Sequence, residues 1–159
     1  MSDHLNDKYL IFEVDEYYAV EIAAVVEIIE YSVPTNVPDT PDYIAGMMNL
    51  HGHIVPVIDI RTRFRKKPKD ITARKCIIIV NINHNQLGLI VDNVIDLITI
   101  DPANLTAPPQ VGTSYSYVFI KSIGVSDKKM HLVIDTDKLI NHKDLEIMES
   151  AEDTGDGHA

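Results

Sequence analysis

The sequence predicts a mainly β protein built from two similar small β-subdomains closed as barrels, and three observations carry this. Short segments rich in Val, Ile and Tyr recur along the 159 residues, and such side chains suit a pleated, half-buried surface. Several gaps between them are only hairpin-sized, which favours antiparallel pairing over crossovers. The chain also repeats itself. "AVEIAAVVEII" (19–29) aligns without gaps on "GLIVDNVIDLI" (88–98), so Val25, Glu27 and Ile28 match Val94, Asp96 and Leu97. Downstream, "PVIDIRTRF" (56–64) resembles "LVIDTDKLI" (132–140), with Asp59 opposite Asp135. Two matches in the same order imply two halves of strand, turn, strand, connector, strand. Barrels follow because closure removes exposed strand edges.

In chain order, strands are expected at "KYLIFEV" (8–14), "YYAVEI" (17–22), "HIVPVIDI" (53–60), "KCIIIVNI" (75–82), "QLGLIVD" (86–92) and "HLVIDT" (131–136). "VDEY", "NINHNQ" and "SDKK" are their turns. Helical signals are few. In "TPDYIAGMMNL" (40–50), Thr40 as N-cap and Pro41 at the first helical position predict one or two helical turns. "TDKLINHKDLEIMESA" (136–151) spaces Leu139, Ile140, Ile147 and Met148 near the helical period and predicts an amphipathic helix that closes the fold. "SVPTNVPDTPD" and "DPANLTAPPQVG" read as irregular connections.

A hydrophobic fraction of 45% at this length buries a core without staples. The single cysteine, Cys76, has no partner in the chain for a disulfide and heads the apolar run "CIIIV", so packing is its expected role. The start "MSDHLNDKYL" is too polar for a secretory signal and no apolar run reaches transmembrane length, so a soluble, cytoplasmic chain is expected. Residues 1–7 are expected to be flexible, and 142–159 to run from the end of the C-terminal helix into a frayed acidic tail. The net charge of −10 argues against nucleic-acid affinity. The charge is uneven, however. Within "RTRFRKKPK" (61–69) lie six of the fourteen Lys and Arg, whereas 144–156 carries only acids.

Catalytic and metal chemistry find little support. "HGH" (51–53) would put His51 and His53 on one side of an extended segment. Zinc needs further ligands, and the other histidines form no ligand-spaced pair, so no metal site is expected. No G-x-S-x-G elbow, P-loop or G-x-G-x-x-G occurs. Asp59, Asp92 and Asp135 each end an apolar strand, where a turn-forming or capping carboxylate is expected. The basic run 61–69 reads as a solvated hairpin loop, with an acidic partner, nucleic acid or a membrane surface as the functional alternative. The stretch Val25, Val26, Glu27, Ile28, Ile29 is apolar on both faces of a strand. One face can pack inward, and the other needs a neighbouring subdomain or a partner protein.

These residues resemble the CheW family of chemotaxis coupling proteins over roughly 8–141. The anchors are "YLIFEV" with "YYAVEIAAVVEI", then "VPDTPDYIAGMMNLHGHIVPVIDIRTRF", then "GLIVDNVIDLI" and "SYVFIKSIGVSDKKMHLVIDTDKLI". The second carries a counterpart of the family signature N-L-R-G-x-(V/I)-(V/I)-P-(V/I)-(V/I)-D-(L/I)-R, matched by Asn49, Leu50, Gly52, Pro56, Asp59 and Arg61. The resemblance implies two small antiparallel five-stranded, SH3-like β-barrels intertwined around a shared hydrophobic core.

It also implies a non-catalytic adaptor without a cofactor. Such a protein bridges the cytoplasmic tips of methyl-accepting chemoreceptors to the regulatory domain of a CheA-type histidine kinase. It packs with like-folded domains, other CheW-like domains among them, in membrane-associated arrays at the cell pole, with neither nucleic-acid binding nor membrane insertion. Carried over by residue, the receptor-facing groove falls on Val25, Glu27, Gly46, His51 and Leu97. The kinase-facing surface is expected at the barrel ends, without assignment to single residues. Two positions depart from the family pattern. His51 stands where Arg is usual, replacing a permanent bidentate fork with a smaller ring that is mostly neutral at pH 7. Ile29 stands where a polar residue is common, which would make the surface more apolar. On these departures rests an alternative reading, a CheW-like module serving a pilus-type chemosensory system or polar protein positioning.

Overall fold

A computed structural model describes residues 7–70, 73–108, 118–141 and 143–144. Among the described residues there are eleven strands: β1 (Lys8–Val14), β2 (Glu16–Glu21), β3 (Val25–Glu30), β4 (Ile44–Leu50), β5 (His53–Asp59), β6 (Cys76–Ile82), β7 (Asn85–Val91), β8 (Asn93–Thr99), β9 (Leu105–Thr106), β10 (Ile120–Ser126) and β11 (Lys129–Ile134). One four-residue helix, α1 (Ile60–Arg63), follows β5. The strands form a six-stranded sheet ordered β8-β1-β2-β11-β10-β9 and a five-stranded sheet ordered β3-β6-β7-β5-β4.

The sequence repeat is a real two-fold relationship between these sheets. Exchanging β8, β1, β2, β11 and β10 for β3, β6, β7, β5 and β4 turns one order into the other. Each sheet therefore takes strands from both halves of the chain, so the two subdomains are intertwined. Even the irregularities repeat. The extra residue that shifts the β3–β6 register is Val26, and its repeat mate Ile95 is the extra residue in β8 against β1. A second pair of shifts falls at Ala45 in β4 and Lys121 in β10.

Alternation along the strands builds the core in three parts. From β1, Leu10, Phe12 and Val14 enter a large cluster shared by both sheets, whereas Tyr9 and Ile11 point into a smaller cluster with Ala19, Ile100 and Val133. From β6, Ile78, Val80 and Ile82 enter the shared cluster, whereas Ile77 and Ile79 join Val57 and Ile90 on the opposite face. Both faces of these strands are buried, which is why "LIF" and "IIIV" read as unbroken apolar runs. The half-buried Cys76 packs on the shared cluster, and burial pushes its thiol pKa up.

The structure corrects several expectations. No helix forms over 40–50. The Thr40 hydroxyl donates to the Val37 carbonyl at 2.8 Å instead of capping, and after a single turn the chain enters β4, paired from Ile44↔Ile58 to Leu50↔His53. Cross-strand pairing outweighs the local Thr-Pro signal. The strand pairing is mainly antiparallel, but β2 with β11 and β5 with β7 are parallel. Strand β10, "IKSIGVS", is poor in alternation and is specified by its pairing with β11. The C-terminal segment begins as a 3-10 turn, Thr136–Lys138. Half of the helix expected over 136–151 (142 and 145–151), residues 1–6 of the flexible segment expected at 1–7 and the acidic tail from 145 onward lie outside the described residues.

The basic run is not a solvated loop throughout. Its first part is α1, where Arg61 is buried at 9% exposure. Arg61 Nη1 and Nη2 grip the Asp15 carboxylate at 3.1 and 2.8 Å, and Nη2 also reaches Asp92 at 2.5 Å. Asp92, the one-residue link between β7 and β8, is thus also an ion-pair partner. The Asp15 hydrogen bond, with Asp92 adding to it, drives the Arg61 pKa further up. The same bond holds the Asp15 carboxyl below its usual range. Asp15 lies in the β1–β2 turn and Asp92 between β7 and β8, so one guanidinium fastens the two sheets together.

Candidate protein-docking site

The stretch 49–61 builds a hairpin and then a helix. His51 and Gly52 form the two-residue loop between β4 and β5, both at positive φ, 54° and 86°. That is the turn whose twist matches antiparallel strands, and glycine adopts it without steric cost. Asn49 Oδ1 accepts the Gly52 N–H at 3.1 Å and braces the loop. Leu50 packs against the cluster formed by Val57, Ile77, Ile79 and Ile90. Pro56 sits opposite Met47 in β5, and Asp59 caps α1 by accepting the N–H of Arg61 at 2.9 Å. Asp135 caps the equivalent turn by accepting the Asp137 N–H, so both aspartates take the capping role expected of them. The turn also separates His51 from His53, which do not share the side of one extended segment. Among the described residues no group of three or more His, Cys, Asp or Glu is placed to hold a metal.

His51 projects from this loop towards β3. Its Nε2 lies 3.2 and 3.3 Å from the two Glu27 carboxylate oxygens, with the histidine side chain 72% and the glutamate 32% exposed. The contact is possible because the five-stranded sheet curls. The chain leaving β3 hydrogen-bonds the outer edge of β4, with Thr35 N to Met47 O and Met47 N to Thr35 O both at 2.8 Å. Gly46 permits this closure. At its φ of +148° a Cβ would stand 2.2 Å from the Thr35 carbonyl oxygen.

The other site residues divide. Val25 is half-buried and packs on the shared core, so it supports β3 from within. Leu97 is 47% exposed on β8, an outer strand of the other sheet, in the place that Ile28 holds on β3. Ile29 is half-buried and packs against Val57, Ile77, Ile79 and Ile90, on the face of the strand that Glu27 shares. Val26 and Ile28 are more exposed, at 40% and 45%. The five-residue stretch signalled an outward apolar face, but strand alternation alone could not choose the outward residues across a bulge. Their repeat mates Ile95 and Leu97 are exposed to 44% and 47%, so each sheet carries the same apolar pair on an outer strand.

The arrangement offers exposed apolar side chains on an outer strand with a carboxylate–imidazole contact beside them; Glu27 lies opposite Ile79 and Ile28 opposite Ile78, so these two point to opposite faces of the sheet. Among the described residues no helix is long and apolar enough to cross a membrane. The sequence profile of the CheW-like domain family matches residues 8–144. The crystal structure of the scaffolding protein TtCheW from Thermoanaerobacter tengcongensis superposes with a TM-score of 0.79 at 36% identity, covering 84% of this chain and 92% of that one. The probable chemotaxis protein CheW of Rhizobium etli is 32% identical over 132 residues, 83% of this chain and 85% of the relative. The chemotaxis protein CheW of Bacillus subtilis is 31% identical over 137 residues, 86% and 88% of the two chains. Two intertwined β-subdomains, the braced hairpin and a match over all the described strands agree: the chain belongs to the CheW-like domain family.

Proposed function

We propose that this chain is a non-catalytic chemosensory adaptor. It seats the cytoplasmic tip of methyl-accepting chemoreceptors beside Glu27 and His51 while it binds the regulatory domain of a CheA-type histidine kinase. The observation that supports this most is the Glu27–His51 pair, which joins β3 to the signature hairpin on a strand that also exposes Val26 and Ile28. A receptor tip is helical, and an apolar strip suits one face of a helix. A polar pair at its rim sets register more than affinity. Gly46 and Val25 hold the strip in shape, and Leu97 extends the binding surface to the second sheet. Other CheW-like domains are further partners within an array in the cytoplasm beneath the membrane. The role needs no cofactor.

One residue favours a second reading. His51 in place of the usual arginine gives a weaker partner for Glu27, which suits a divergent receptor set, a pilus-type system or polar protein positioning. Calorimetry with the regulatory domain of a CheA-type kinase from the same cell distinguishes the two. One-to-one binding is expected. No binding to any such domain encoded there would transfer the role to the second reading.

A further inference from the structure

We propose that the cavity between α1, the start of β6 and the end of β7 is a site for a phosphate-class oxyanion, free or carried on a small molecule. Although the chain carries a net charge of −10, four cations line this cavity: Arg61, Lys66, Lys69 and Lys75. The carboxylates beside them, Asp59 and Asp92, already have partners. Asp59 accepts the Arg61 N–H at 2.9 Å, and Asp92 takes Arg61 Nη2 at 2.5 Å. Arg61 and Lys66 are themselves partly neutralised, by Asp15 and Glu16. The surplus of positive charge therefore rests on the other two lysines. Lys69 Nζ is 3.8 Å from Asp92, beyond hydrogen-bond reach, and Lys75 Nζ lies 4.6 Å from the Tyr31 ring centroid. Arg61 is buried, and among the described residues its Nε has no hydrogen-bond partner, which leaves one donor of this guanidinium unused.

Size and donor chemistry select the ligand. At about 120 Å³ the cavity has room for several waters, and so for one phosphoryl-sized group. It falls well short of the ~300–1,000 Å³ that a drug-sized molecule fills. Lysine ammonium groups are compact point charges with three donors each, which suits a small, multiply charged anion better than a planar carboxylate. Thr62, also at the cavity, offers a hydroxyl donor. The other half of the chain supplies a contrast. The repeat that sets Asp59 opposite Asp135 also sets Arg61 opposite Asp137. The cavity beside the Thr136–Lys138 turn is lined by Glu21, Asp135 and Asp137, with Lys121 paired to Glu21 at 2.7 Å. The turn therefore folds without a cation at this position, and the basic lining is not a requirement of the fold.

Amide shifts of the full chain test this during a titration with inorganic phosphate, compared with sodium chloride of equal ionic strength. The titration is run at about pH 7.5, where a phosphate group is mostly doubly charged. Saturable shifts are expected over 61–69, at Lys75 and over 90–92, with none at the acidic cavity and no counterpart in chloride. Changing Lys69→Gln and Lys75→Gln together should weaken binding about tenfold, the scale of one lost charge-assisted hydrogen bond. Neither side chain is buried, so the double variant should fold, and its spectrum in chloride checks that. Shifts that grow without saturating, that chloride reproduces, or that centre on Glu21 and Asp137 would overturn the proposal. So would saturation of the double variant at the wild-type concentration. O-phosphoserine separates the two sources. Shifts at the same amides assign a phosphoryl group carried on a small molecule, and shifts with phosphate alone assign the free ion.

Discussion

The His51 imidazole and the Glu27 carboxylate meet at 3.2 Å although Glu27 lies on one outer strand of a five-stranded sheet and His51 in the loop that leaves the other. Four strand spacings of about 4.8 Å would hold those edges ~19 Å apart in a flat sheet. Their contact therefore depends on the curl, and both side chains become part of one surface only in the folded chain. An exposed pair of this kind is worth ~0–1 kcal/mol of stability. Its removal by His51→Ala should leave urea unfolding almost unchanged. Binding is where it counts: His51→Arg should tighten, and Glu27→Lys weaken, the association with a conventional receptor tip. Equal affinities for wild type and both variants in titration calorimetry would remove Glu27 and His51 from the site, and kinase-domain binding should change little in either variant.

Gly46 should tolerate no side chain. A Cβ would stand 2.2 Å from Thr35 O and 2.7 Å from its carbonyl carbon, both backbone atoms, at a φ that L-residues rarely adopt. Gly46→Ala should destabilise by about 1–3 kcal/mol from strain alone. It should also loosen the Thr35–Met47 pairing that curls the sheet. Faster hydrogen exchange at the Thr35 and Met47 amides would report this locally.

Arg61 should be the most sensitive charged position. Truncating one partner of a buried ion pair typically costs 3–5 kcal/mol, roughly what Arg61→Ala should show in urea unfolding. Asp15 supplies a pH signature. Its folded-state pKa is lowered, chiefly by the Arg61 hydrogen bond. The stabilisation is therefore fully present above the unfolded value of about 3.9 and is lost as pH falls through the lower folded value. Asp15→Asn should flatten the stability-against-pH curve in that acid window and nowhere above it.

Tyr43 carries the opposite sign. Burial and the hydrogen bond to Asp144 push its pKa up to about 12. Its contribution is complete below the unfolded value of about 10 and disappears as pH rises through about 12. In an ultraviolet titration of the folded chain, Tyr43→Phe should remove a late-ionising tyrosine and leave the earlier ones. An unchanged late phase would show that Asp144 does not hold the phenol.

Much of this architecture could be read from residue order. The repeat pairs Val25 with Val94 and Asp59 with Asp135, and the sheets and caps follow that pairing through to matched bulges at Val26 and Ile95. The apolar runs marked the strands because period-two alternation buries both faces. Thr40 and Pro41 misled because their signal is local, whereas β4 exists through its partners on β5. Arg61 was hidden for the same reason: in "RTRFRKKPK" it looks like its exposed neighbours.

By itself, then, the sequence determined the β class, the duplicated halves, the family signature and the uneven distribution of charge. All of these depend on residue type and spacing along the chain. Only the tertiary structure decided that Ile29 packs against Val57, Ile77, Ile79 and Ile90 while Val26 and Ile28 stay exposed, that Arg61 clamps Asp15 and Asp92, and that His51 reaches Glu27. Each of those depends on a bulge, a curl or a contact across many residues of chain, and such relations are set by packing in three dimensions.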